Sequence, residues 1–87
     1  MSAVPMSMDF HVVFAPSKRV SLFGKVWAVL REGFDEPLGE HVSRSHAEQA
    51  AINYAKSAEA SGGSARVVVH TPQGPVANEH YFPALVV

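Results

Sequence analysis

Cysteine is absent from the 87-residue chain, which excludes a disulfide framework, a thiolate nucleophile and any zinc site built on thiolates. Charge is sparse as well: Asp, Glu, Lys and Arg make up 17% of the residues and the formal net charge is -1. So weak a field draws neither nucleic acid nor an acidic membrane to the molecule as a whole, and any such contact needs a local patch. No apolar run approaches the length of a transmembrane helix, and the first eight residues contain no Lys or Arg and no signal-peptide core. The expectation is a cytoplasmic protein with no membrane partner. Catalytic signatures are missing too. No serine sits in a Gly-x-Ser-x-Gly elbow. Ser61-Gly62-Gly63-Ser64 lacks the lysine of a phosphate-binding loop and follows a helical pattern instead of preceding one, so a helix cap is the better reading. The chain is accordingly expected to be no enzyme, with no catalytic residue, metal or cofactor.

What is present is enough to fold. Hydrophobic residues reach 47%, too many for a disordered chain. Surface scaling gives a folded area of roughly 5,000 Å² against roughly 13,600 Å² unfolded, which supports one core and leaves no room for two. Residues 1–8, rich in Met and broken by Pro5, read as a flexible leader, and 9–87 as a single domain.

Within that domain, residues 10–14 form a β-branched and aromatic run stopped by Pro16, a first strand. Residues 17–24 are a loop carrying Lys18 and Arg19. Residues 25–31 place Val26, Ala28 and Leu30 on one side and Trp27 and Val29 on the other, a strand apolar on both faces. A turn over 33–39 leads to a short third strand at 40–43. Ser45-His46-Ala47-Glu48 has the form of a capping box and predicts a helix start. Behind it Ala47, Ala50, Ala51, Tyr54, Ala55 and Ala58 fall on one stripe, with Tyr54 the one large anchor, and Gly62-Gly63 supplies a left-handed stop. Val67, Val68 and Val69 mark a fourth strand, turned by Pro72-Gln73-Gly74-Pro75 into a fifth around 76–82. Pro83 argues for an edge position or the end of that strand. The expected fold is α+β: an antiparallel sheet of about five strands packed on one helix, in the order β-β-β-α-β-β.

His11-Val12-Val13, Trp27-Ala28-Val29, the Ser45-His46-Ala47-Glu48 cap, Val67-Val68-Val69-His70, the turn at Gly74 and His80-Tyr81 occur in an order and spacing that resembles a small bacterial family, domain of unknown function 2188, over about residues 10–82. The chain departs from the family pattern in a longer loop at 17–23 and an extension over 84–87. The resemblance implies a bacterial sheet-and-helix protein and carries no catalytic residue with it.

Five histidines, His11, His41, His46, His70 and His80, lack the spacing of a zinc cluster. His11 and His70 would meet if the first and fourth strands were neighbours, with His80 joining across the last hairpin. Asp35, Glu36 and Glu40 could face a hard cation but have the composition of a solvated loop. Lys18, Arg19 and Lys25, with Trp27 and Phe23 nearby, have the chemistry of a nucleic-acid contact, opposed by the near-neutral charge. The leading expectation rests on the two-sided sheet. One helix covers one face, so the other, read as Trp27, Val29 and Val68, becomes a surface for a second copy or another protein. The competing reading is that the leader, the 17–23 loop or the 84–87 tail folds over that face.

Overall fold

The computed structural model describes residues 7–19 and 24–83. The elements run β1 (Ser7–Pro16), β2 (Lys25–Arg31), β3 (Gly39–His41), α1 (Arg44–Ala60), β4 (Ser64–His70) and β5 (Val76–Phe82). They form one five-stranded sheet in the spatial order β3-β2-β1-β4-β5. The class is α+β as expected, but the sheet is mixed. β1 pairs antiparallel with β2 and parallel with β4. The reason lies in direction of travel. β3 ends at the far end of the sheet, and a helix of 17 residues, about 25 Å long, carries the chain back to the start. β4 therefore sets out the way β1 did and takes the free edge beside it.

β1 begins at Ser7, two residues inside the expected leader, and Met8 packs against the core. Residues 1–6 and 84–87 lie outside the described residues. The core is a layer of valines under alanines. Val12, Val29, Val67 and Val69 are fully buried on the sheet, and Ala47, Ala51 and Ala55 are fully buried on the helix. Small side chains on α1 let its backbone approach the pleated surface closely, so the β-branched residues below lose no contact to voids. Tyr54 is 41% exposed and stacks on Phe10 with ring centroids 6.0 Å apart, an anchor at the margin of the layer and not within it.

The helix ends correct one detail and bear out another. Ser43, not Ser45, is the N-cap: its backbone is extended and its hydroxyl accepts the amide of His46 at 3.2 Å. The apparent box fails because Glu48 faces the sheet, where its carboxylate takes up His80 and Asn78 of β5. At the other end Gly62, at φ +94, donates to the Glu59 carbonyl and Gly63 to the Ala58 carbonyl, the paired bonds of a Schellman stop.

Replacing Ser43 by Ala is expected to lower unfolding stability by about 0.5–2 kcal/mol. The same change at Ser45 should stay within about 0.5 kcal/mol, and equal losses in urea denaturation would return the cap to Ser45. Ala51→Leu should cost about 1–3 kcal/mol through overpacking, measured in the same way.

Candidate functional site

Alternation assigns each strand residue to a face. Phe10, Val12, Val29, Ala65, Val67 and Val69 lie in the layer under α1, and Trp27 packs against it. Trp27 and Val29 are thus beneath the helix, while Val68 points the opposite way. The expected docking trio of Trp27, Val29 and Val68 is split between two faces. Alternation within one strand does not say which of its faces meets the helix; the register does, and it puts Val12 opposite both Val29 and Val69.

The face away from α1 carries Asp9, His11, Val13 and Ala15 from β1, Val26, Ala28 and Leu30 from β2, Glu40 from β3, Arg66, Val68 and His70 from β4, and Glu79 and Tyr81 from β5. Much of its apolar surface is nonetheless closed, since Val26, Ala28 and Val68 are buried. Two devices account for this. Over β4, long polar neighbours form a roof. Arg66 bridges Asp9 at 3.1 Å and Glu79 at 3.5 Å, and His11 and His70 meet above the strands. Over β2, the chain leaving β1 folds back towards β3. The Ser17 hydroxyl donates to Glu40 Oε1 at 2.6 Å, and the Lys18 amide donates to Oε2 at 2.8 Å.

The same clamp decides the fate of the basic cluster. Arg19 donates to the Pro37 carbonyl at 2.8 Å and Lys18 Nζ to the Asp35 carbonyl at 3.1 Å. Lys25 lies near Phe14, with Nζ 5.9 Å from the ring centroid. Trp27 tilts against the same Phe14 at 4.9 Å and packs on the core, so Lys25 and Trp27 meet at Phe14 while Lys18 and Arg19 are tied to the carbonyls of Asp35 and Pro37. Phe23 is outside the described residues. Hydrogen bonds from the Ser17 hydroxyl, and next from the Lys18 amide, hold the Glu40 carboxyl below its ordinary value, with Arg19 adding in the same sense.

His11 and His70 come together as anticipated, because β1 and β4 are neighbours. His11 Nδ1 and His70 Nε2 are 3.0 Å apart. His70 Nδ1 faces the Gly74 carbonyl at 2.9 Å, which can only accept, so that nitrogen bears the proton. With Nδ1 turned to that carbonyl, Nε2 of His70 is the atom placed to accept from His11, whose other nitrogen lies 3.7 Å from Glu32. The result is two oriented hydrogen bonds, His11 to His70 and His70 to the Gly74 carbonyl. His80 is not part of it: it sits on the helix side, 2.5 Å from Glu48. Among the described residues no group of three potential ligands is placed to hold a metal.

What the roof and the clamp leave open is β5. It is the last strand of the sheet, seven residues long, and most of its residues are exposed. Tyr81 is 69% exposed and Val76 52%; both lie on the helix-free side, opposite Arg66 and His70. One side of the strand is paired to β4, and among the described residues nothing pairs with the other. Pro83 was the one signal of this edge in the sequence. No family model, no curated protein and no solved structure matches the chain. Among the described residues, no helix is long and apolar enough to cross a membrane.

A carboxyl depressed in the folded state stabilises above its unfolded value and loses that contribution as pH falls through the folded one. Glu40→Gln is therefore expected to be less stable than the parent at pH 7, with the gap closing below about pH 4. Denaturation midpoints across pH test this, and a gap that persists unchanged at low pH would show that the clamp does not depend on ionised Glu40.

Proposed function

We propose that the chain is a non-enzymatic interaction module that associates through the edge of β5, and that the partner every copy finds at hand is a second copy of itself. The observation that carries this reading is the seven-residue edge strand, which contains exposed Val76 and Tyr81 and whose outer side pairs with nothing among the described residues. An edge presents a row of free backbone N–H and C=O groups, and natural proteins normally shorten, charge or cover such a row. At the opposite edge β3 is only three residues long. At β5 the row is left long, and it is complementary to any extended segment. Two copies related by a two-fold axis satisfy it by antiparallel pairing, giving one continuous sheet. Glu79, near the middle of the strand, is the one charge that would face its counterpart, and Arg66 at 3.5 Å offsets it.

Sedimentation velocity over a concentration series, with amide exchange read along the chain, tests the proposal. Association is expected to rise with concentration, with slowed exchange confined to Val76–Phe82, and to disappear in the Val76→Lys, Tyr81→Lys double variant. Both positions are exposed, so the variant keeps its core. A monomer at every concentration, or a dimer indifferent to that variant, would falsify the assignment.

A further inference from the structure

A second opening lies on the other side of the sheet and goes beyond the β5 reading. β3 is short and α1 runs chiefly over β1 and β4, so the end of β2 has no strand beside it under the helix flank. A cleft of about 360 Å³ results, within the range of roughly 300–1,000 Å³ typical of small-molecule sites. Phe10, Leu38, Tyr54 and Ala58 form its apolar walls, and Arg31 and Ser57 stand among its polar lining.

Arg31 distinguishes this cleft from a packing gap. Its register partner is Phe10, which places it on the helix side. Its guanidinium lies 4.6 Å over the ring of Phe34, and among the described residues no carboxylate lies within ion-pair distance of it. Arg66, by contrast, holds two carboxylates on the opposite face. A planar cation with its donors unengaged by any acid, at an apolar cleft, is complementary to a carboxylate attached to an apolar body. The carbonyl end of α1 also borders the cleft through Ser57, Ala58 and Ser61; its partial negative charge works against any anion, so the single charge of a carboxylate on Arg31 is opposed less than the multiple charge of a phosphate. A cationic ligand would meet Arg31 itself.

We propose that this cleft binds a small amphipathic carboxylate, with its apolar body between Phe10, Leu38, Tyr54 and Ala58 and its carboxylate on Arg31. The chain is titrated with sodium octanoate and followed by amide NMR shifts, with octanol and octylammonium as comparators. Octanoate is expected to bind tightest, shifting Met8, Phe10, Leu38 and the last turn of α1. Arg31→Met should weaken octanoate by about tenfold or more and leave octanol unchanged. Ser57→Glu, on the exposed side of the helix where folding is not at stake, should reverse the preference towards octylammonium. The proposal is overturned if octanoate binds no better than octylammonium, if its shifts fall outside the cleft, or if neither variant changes the order of affinities.

Discussion

The close approach of an alanine-faced helix to a valine surface is the constraint on which the rest of the structure depends. Because Ala47, Ala51 and Ala55 are fully buried with almost no side chain of their own, the valines of β1, β2 and β4 meet the helix directly. A layer this thin admits one helix, and that helix has a fixed length. It returns the chain to the starting end of the sheet, which makes β4 parallel to β1 and brings His70 beside His11. The Glu48 contact to His80 and Asn78 then pins the far strand to the same helix.

A single helix leaves the second face to be closed by other means, and the molecule uses polar ones. Val68 is buried under neighbours that pair with one another, and Val26 and Ala28 are buried where the chain after β1 is tied to Glu40. Hydrogen bonds to an ionised carboxylate are the stronger kind, so a surface clamp of few residues can hold a loop across a strand. The arrangement buries Val26, Ala28 and Val68 and leaves Val13, Ala15 and Leu30 half-buried on that face. Among the described residues, two features at the periphery are left open: the outer edge of β5 and the cleft beside Arg31.

These two openings share an origin. A five-stranded sheet is wider than one helix, since strands lie about 4.8 Å apart while a helix with its side chains is about 10–12 Å across. The lateral strands are therefore left partly without a lid. On one flank β3 is too short to fill the space, and a cleft forms. On the other flank β5 is long, and its edge faces outwards.

The bounds of β2 and β5, the position of the helix, its buried alanine stripe and its glycine stop were legible in the sequence, because each depends on local periodicity or on a backbone conformation that only certain residues adopt. The nearness of His11 and His70 depends on β1 and β4 being neighbours, which local pattern allows but does not require. Local pattern does not report register or direction, and there the reading went astray: it made the sheet wholly antiparallel, put Trp27 and Val29 on the outer face, and took Ser45 for the cap that Ser43 provides. The Ser17 to Glu40 clamp joins residues 23 positions apart, and no local signal marks such a pair. By itself the sequence determined which segments are strands and which is helix, since those choices are made by side-chain spacing along the chain. Only the tertiary structure decided which faces are covered and which groups remain unpaired, because those depend on how separate segments are set side by side.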